Sequence, residues 1–269
     1  MTRRTVRRLG RRLLQVIGGL ARSFPTAGLF LVDAVALLSF PAIRPRSRHE
    51  LPEAFANLSR AEVRAALRRE WAYKLRNLMM YHAVQRFGAE PFADLTGGQS
   101  LDHVPAPAIM ATFHSGPTAA FARVLQQTRD PVLVFRRTLR YRLSHHPLVA
   151  TGDTDDQRAL AMHQGARHLQ RGGRVFMMFD PATAARIEAP FFGRPLELAR
   201  GPFVLSRLSR ATIVPVITRW RGYKIEVVTG QPIHVADEKV MAVAVARWLE
   251  AYYLENPSEI GDRTLDLQK

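Results

Sequence analysis

From about residue 105 onward, short apolar runs alternate with longer amphipathic stretches, and this alternation constrains the fold more than any other feature of the sequence. The spacing of the apolar residues predicts strands near 107–113, 131–136, 173–179, 211–218 and 223–229. It predicts helices near 116–128, 156–171, 202–209 and 237–255. Residues 218–223 predict a hairpin turn between the last two strands. Such alternation is typical of an α/β protein with a mixed, partly parallel sheet flanked by helices.

The first 48 residues form a basic and apolar segment that is expected to associate with a membrane. Residues 1–23 contain no acidic residue. On a helical wheel their arginines fall on one side and their apolar residues on the other. The arginines are Arg3, Arg4, Arg7, Arg8, Arg11 and Arg12. The pattern predicts a basic amphipathic helix on an anionic membrane surface. The alternative is a solvated tail that docks its apolar stripe on its own domain.

Residues 24–43 are also apolar, but Pro25, Asp33 and Pro41 interrupt them. A spanning helix needs about 20 predominantly apolar residues, and an unpaired carboxylate inside a bilayer is costly. A re-entrant or membrane-resting hairpin therefore fits better than a span. We expect a peripheral or monotopic protein at the cytoplasmic face of the inner membrane. Residues 49–269 then form one α/β domain, which begins with a helical region at residues 50–88.

The formal net charge of +16 narrows the range of partners. Such a charge attracts membrane phosphate, nucleic acid or an acidic carrier protein. Nucleic acid is the weakest of the three, because the sequence has no zinc-finger spacing, no aromatic RNA-binding signature and no clear helix-turn-helix. The absence of cysteine excludes thiolate nucleophiles and cysteine-ligated zinc. An anionic membrane and an acidic protein remain as the expected partners.

Two polar residues directly follow apolar runs that are predicted to be strands. His114 follows the apolar residues 109–113, and Asp180 follows a second apolar run, predicted as a strand near 173–179. Ligands of open α/β sheets bind at the carboxyl ends of the strands, so both side chains are expected at one sheet edge. A histidine placed before Ser-Gly-Pro and a helix suits a general base beside an oxyanion or phosphate site. The alternative is a hydrogen-bonded histidine with a purely structural role.

Several segments, in their order along the chain, resemble the lysophospholipid acyltransferase superfamily, and most closely its bacterial lipid A late-acyltransferase branch. These segments are His114, Phe179-Asp180, residues 190–195 (Pro-Phe-Phe-Gly-Arg-Pro), Gly201-Pro202 and residues 214–216 (Val-Pro-Val). The resemblance covers roughly residues 50–255. It implies transfer of an acyl group from an acyl carrier protein or acyl-CoA thioester. The acceptor would be a hydroxyl or amine of a lipid or a natural-product intermediate.

The resemblance also implies roles for individual residues. His114 would deprotonate the acceptor, and backbone N–H groups near residues 115–118 would hold the oxyanion. Either Arg136 or Arg137 would match a family arginine that contacts a substrate phosphate. Further substrate contacts are expected from Ser115, Gly116, Phe191, Phe192, Gly193 and Arg194. No metal ion or organic cofactor is implied, and an acyl carrier protein is favoured as donor because its acidic surface suits the positive charge.

The chain departs from the family's catalytic motif, His-x-x-x-x-Asp/Glu, because the fifth residue after His114 is Ala119. An acid at that position orients the imidazole, and loss of such an acid lowers the rate about 10⁴-fold in the Ser-His-Asp triad. Three explanations compete. Another carboxylate substitutes, first Asp180 and next Glu188. The acceptor is a more reactive nucleophile, such as an amine or a low-pKa hydroxyl. Or the protein binds lipid or acyl carrier without turnover.

Two further patterns are weaker. Residues 144–150 resemble the His-His-x-x-x-Asp motif of condensation-type acyltransferases, but Ala150 replaces the aspartate. We therefore expect His145 and His146 in a loop or at the surface. The acidic segment 153–156 precedes a predicted helix, which favours helix N-capping over metal binding.

Overall fold

The computed structural model describes residues 16, 19, 23–40, 55, 57–114, 116–136, 146–180 and 185–259. Within these residues the α-helices are α1 (Pro25–Ser39), α2 (Arg60–Phe87), α3 (Ala93–Thr96), α4 (Phe121–Gln127), α5 (Asp155–Gln170), α6 (Gly201–Ser209) and α7 (Glu238–Glu255). Short 3₁₀ turns lie at Glu90–Phe92, Thr118–Ala120 and Pro257–Glu259. The predicted basic helix at residues 1–23 falls almost entirely outside the described residues.

The strands form one six-stranded sheet and one separate hairpin. They are β1 (Ala108–Thr112), β2 (Val132–Arg136), β3 (Leu148–Ala150), β4 (Arg174–Met178), β5 (Arg186–Phe191), β6 (Arg194–Ala199), β7 (Thr212–Arg221) and β8 (Lys224–Thr229). The sheet order is β3-β2-β4-β1-β7-β8, and the hairpin is β5-β6. Every neighbouring pair in the sheet is parallel except β7 and β8. The predicted α/β fold with a mixed, partly parallel sheet is confirmed.

β1 is an interior strand of the sheet and lies between β4 and β7. All five of its residues are buried, which explains why the strand appears in the sequence as an uninterrupted apolar run. β1 pairs with β4 from Ala108↔Arg174 to Thr112↔Met178. On its other side it pairs with β7 from Ala108 to Ala111. The chain therefore leaves β1 between two parallel neighbours.

Apolar side chains cover both faces of the sheet. One face packs against α5, α6, α7 and the β5-β6 hairpin. The other face packs against α4 and the segment that contains Leu101 and Val104. A third cluster joins α1, α2 and α3 to the far ends of β7 and β8 through Trp220 and Ile225. β7 and β8 thus extend past the sheet edge and contact the N-terminal helices there.

An ion pair between the buried Arg76 and the partly exposed Asp33 joins α1 to α2. The Arg76 guanidinium donates two hydrogen bonds to the Asp33 carboxylate, one of them 2.7 Å long, and a third of 2.7 Å to the Gly222 carbonyl. The apolar run that suggested a membrane-resting hairpin forms a single helix as far as Ser39. Its carboxylate points into the protein, where it has an ionic partner. None of the helices in the described residues is long and apolar enough to cross a membrane.

Helix starts agree with the sequence prediction where capping residues are present. Ser59 and Glu62 form a reciprocal capping box at the start of α2. Thr154 caps α5 through Gln157, so the segment 153–156 opens a helix as predicted. The predicted helix at 116–128 was wrong at its start, since a 3₁₀ turn occupies Thr118–Ala120 and the α-helix begins at Phe121.

The prediction for His146 was wrong, because its side chain is buried. The imidazole accepts a 3.0 Å hydrogen bond from the Val132 N–H at Nδ1, and its Nε2 pairs with the Leu125 carbonyl. His146 therefore satisfies backbone groups of α4 and β2. His145 lies outside the described residues.

Candidate functional site

Two phenylalanines set the position of the site at the sheet edge. Phe113 directly follows β1 and Phe179 directly follows β4. Both are buried, and their ring centroids lie 5.0 Å apart. The Phe179 N–H also donates a 2.7 Å hydrogen bond to the Thr112 carbonyl. Because the pair continues the β1-β4 register by one residue, the next residues, His114 and Asp180, are brought together.

Asp180 makes two hydrogen bonds to His114. Its Oδ2 lies 3.0 Å from the ring Nδ1 and accepts a second hydrogen bond, 2.8 Å long, from the His114 backbone N–H. The His114 side chain is 43% exposed, whereas that of Asp180 is 13% exposed. A carboxylate at Nδ1 favours the tautomer with the proton on Nδ1 and leaves Nε2 free as a base. The pair therefore has the arrangement of a general base with an orienting acid.

The fifth position of the family motif lies in a different environment. Ala119 sits in the 3₁₀ turn, is partly buried and packs against the cluster formed by the N-terminal helices. It therefore offers neither a charge nor a hydrogen-bonding group to His114. Among the described residues, Asp180 is the carboxylate that bonds the imidazole.

Gly116 holds the loop after His114 against β7. Its φ is +65°, and a Cβ at this position would lie 1.9 Å from the Thr218 carbonyl oxygen. Both observations require glycine, since other residues rarely adopt this φ and none would fit the contact. The contact with the Thr218 carbonyl therefore requires glycine at this point of the loop after His114.

The backbone N–H groups expected to hold an oxyanion are those near residues 115–118. Thr118 donates its N–H to the Gly116 carbonyl at 2.9 Å, and Pro117 has no N–H. Within the described residues, the Gly116 N–H donates to no backbone carbonyl. Ser115 lies outside the described residues. Among residues 116–118, Gly116 is therefore the residue whose N–H has no backbone partner in the described part of the chain.

Glu188, the second carboxylate proposed from the sequence, lies away from this pair. It is exposed on β5, opposite Glu197 of β6. It makes no hydrogen bond to His114 in the described part of the chain. The structure thus brings Asp180 but not Glu188 within hydrogen-bonding distance of the histidine.

The segment Phe191–Arg194 forms the turn of the β5-β6 hairpin. Phe192 and Gly193 have φ values of +47° and +74°, as in the two-residue turns that favour hairpins. Phe191 is fully buried in the core, and the Phe192 ring lies 5.4 Å from that of Phe55. Arg194 is exposed at the start of β6. These contacts account for the segment structurally, and its role in substrate binding stays a prediction.

The predicted arginine lies at the same edge of the sheet. Arg136 is the last residue of β2, the strand that pairs with β4 on the side opposite to β1. Its backbone is therefore one strand removed from Asp180. Arg137 lies outside the described residues. The phosphate contact expected of either arginine stays a prediction.

Fold and site together define an α/β protein with a histidine–aspartate pair at the carboxyl edge of its parallel strands. Its residues 20–258 match the family of bacterial lipid A biosynthesis acyltransferases, and the chain belongs to that family. The match spans most of the chain and includes both members of the pair. No curated protein is significantly similar to it in sequence. The family supports an acyltransferase enzyme.

Proposed function

We propose that the protein transfers an acyl group from a thioester to a hydroxyl or amine, with His114 as general base and Asp180 as its orienting acid. The observation that carries the proposal is the 3.0 Å approach of the Asp180 carboxylate to Nδ1 of His114. A substituted carboxylate explains how a chain with Ala119 in the motif keeps the function of its family. The donor is an acyl carrier protein or acyl-CoA, and the acceptor is a lipid or a natural-product intermediate.

The reaction follows from this arrangement. Nε2 of His114 takes the proton of the acceptor, whose oxygen or nitrogen attacks the thioester carbonyl and forms a tetrahedral oxyanion. In this mechanism the Gly116 N–H, which donates to no backbone carbonyl in the described part of the chain, donates to that oxyanion. Collapse breaks the carbon–sulfur bond, and the thiolate leaves with the proton that the imidazolium returns. Asp180 stabilises the imidazolium between the two proton transfers.

The protein's surface supports a membrane location. The outer side of α1 carries exposed apolar residues and no charged ones, with Phe30 at 63% and Leu38 at 80% exposure. Its one charged residue, Asp33, turns inward to Arg76. We place this face on an anionic bilayer at the cytoplasmic side of the inner membrane, attracted there by the net charge of +16.

Co-sedimentation with phosphatidylglycerol-containing vesicles tests the membrane location. A Phe30→Ser, Leu38→Ser double variant is expected to lose binding, because burial of each side chain contributes about 1.5–3 kcal/mol. Leu208→Ser is the matched control, since Leu208 is an exposed leucine on α6. Equal binding by the double variant and the wild-type protein would place the contact elsewhere.

A non-catalytic role is the second candidate, and the observation that favours it is Ala119 in place of the motif acid. In that case the same site binds lipid or acyl carrier protein without turnover. Turnover separates the two functions. The wild-type protein and His114→Ala are supplied with acyl carrier protein or acyl-CoA thioesters and a panel of hydroxyl and amine acceptors. Acyl transfer that depends on His114 supports the enzyme, and equal inertness across the panel supports the binding protein.

A further inference from the structure

Phe179, the residue before Asp180, is hydrogen-bonded through both its N–H and its carbonyl. The N–H donates to the Thr112 carbonyl at the end of β1, and the Phe179 carbonyl accepts a 2.7 Å hydrogen bond from the Ala199 N–H at the end of β6. The Phe179 ring also stacks on that of Phe203 in α6, with 5.7 Å between the centroids. The position of Asp180 therefore depends on the junction between β6 and α6 as well as on β1.

Arg200 lies at this junction, between the last residue of β6 and the first residue of α6. Its backbone N–H donates a 3.2 Å hydrogen bond to the Ala185 carbonyl, and its carbonyl accepts from the N–H groups of Phe203 and Val204. Its guanidinium donates two hydrogen bonds to the Glu238 carboxylate, at 2.5 Å and 3.3 Å. Arg200 therefore ties the junction between β6 and α6 to the first residue of α7.

Glu238 is a buried carboxylate that binds two arginines. It is 8% exposed, and Arg207 of α6 donates to it a third hydrogen bond, 3.1 Å long. Hydrogen bonding to Arg200 lowers the pKa of Glu238, so the carboxyl group stays ionised at neutral pH. The side chains of Arg200 and Arg207 are almost equally exposed, at 54% and 55%. They differ in position, because Arg200 directly follows β6, whereas Arg207 lies about two helical turns further along the chain.

A small displacement of Asp180 is enough to break its contact with His114. The distance between Oδ2 and Nδ1 is 3.0 Å, and hydrogen bonds of this kind extend to about 3.2 Å. We propose that Arg200 is a positioning residue for the histidine–aspartate pair. Its ion pair with α7 holds the end of β6 in place, and the end of β6 holds the carbonyl of the residue before Asp180. The effect on catalysis rests on the proposed function, whereas the effect on the contact between Asp180 and His114 does not.

Acyl transfer by Arg200→Ala, Arg200→Lys and Arg207→Ala, each made in the full chain and compared with the wild-type protein, tests the proposal. Arg200→Ala is expected to lower kcat about tenfold with little change in KM, because a misplaced acid slows the reaction without weakening substrate binding. Arg200→Lys keeps a positive charge for Glu238 and is expected to restore kcat to within about threefold of the wild-type value. Arg207→Ala is the matched control, since it removes the other arginine from the same carboxylate, and its kcat is expected to stay within about twofold.

Hydrogen exchange of the His114 backbone N–H, measured by NMR, gives a readout that does not need turnover. This N–H donates to Asp180 at 2.8 Å, so displacement of the carboxylate in Arg200→Ala is expected to accelerate its exchange about tenfold. Arg207→Ala is expected to exchange at the wild-type rate. Both arginine side chains are more than half exposed, so both variants are expected to fold, and the thermal unfolding temperature of each is measured alongside.

The comparison between the two alanine variants decides the proposal. Faster His114 exchange and a lower kcat in Arg200→Ala than in Arg207→Ala support it. Equal exchange in the two variants would overturn it, and so would a kcat of Arg200→Ala equal to that of the wild-type protein. A wild-type protein that transfers no acyl group contradicts the proposed function instead, and His114 exchange then still tests the positioning role of Arg200.

Discussion

The replacement Asp180→Asn tests the orienting role of the carboxylate while it keeps the shape of the side chain. Opposite unit charges about 4 Å apart interact by about 4 kcal/mol at an effective dielectric constant near 20. This energy stabilises the imidazolium in the transition state and sets a ceiling of about 10³-fold on the rate effect. Because the His114 side chain is 43% exposed, water screens part of the interaction. We therefore expect kcat to fall about 10²- to 10³-fold with little change in KM.

The assay for Asp180→Asn is the initial rate of thiol release from the acyl donor, with the acylated product measured by mass spectrometry. Asp156→Asn is the matched control, because Asp156 is exposed in the first turn of α5, away from the pair. The asparagine keeps an oxygen that can accept from the His114 N–H, so the thermal unfolding temperature is expected to change little. A kcat within about threefold of the wild-type value, in folded protein, would refute the orienting role.

Three further predictions follow from single contacts. Glu188→Gln is expected to leave kcat within about twofold, because Glu188 makes no bond to the histidine; a loss as large as that of Asp180→Asn would assign it the supporting role. Gly116→Ala is expected to lower the free energy of unfolding by about 1–3 kcal/mol in a denaturant titration, because its Cβ would meet a carbonyl at 1.9 Å. Gly222→Ala, whose Cβ would enter open space at a φ of +61°, is the control and is expected to lose less. In the folded state burial raises the pKa of Glu259 to about 7 instead of 4.5, so the folded protein binds this proton more tightly than the unfolded chain does. The stabilisation from this proton is full below pH 4.5 and is lost as the pH rises through about 7. Between pH 5 and 8 the free energy of unfolding of Glu259→Gln is therefore expected to rise relative to that of the wild-type protein, by about 3 kcal/mol at most. Parallel denaturant titrations measure this difference, and a difference that does not change with pH would contradict the raised pKa.

The site pair was predictable because it depends on strand ends. The apolar runs before His114 and Asp180 are buried central strands, and such runs have a clear end in the sequence. Parallel neighbours in a sheet then bring their carboxyl ends together. What the sequence left open was the choice between Asp180 and Glu188. Asp180 follows a strand that pairs with β1, whereas Glu188 lies inside β5, which pairs with β6, and strand pairing is a long-range property.

The hairpin was not predicted, because its signals are unusual. Pro190 and Pro195 face each other across β5 and β6, and proline normally argues against a strand. The turn uses Phe192-Gly193, whereas Asn-Gly is the common signal for this geometry. β3 has only three residues, too few for a periodic pattern.

A double-variant cycle on acyl transfer tests the central claim most directly. The rates of His114→Ala, Asp180→Asn and the combined variant are compared with the wild-type rate under the same donor and acceptor. If the two residues act as one base, the combined variant loses no more activity than His114→Ala alone. Additive losses, or full activity in Asp180→Asn, would contradict the claim that Asp180 replaces the acid missing at Ala119.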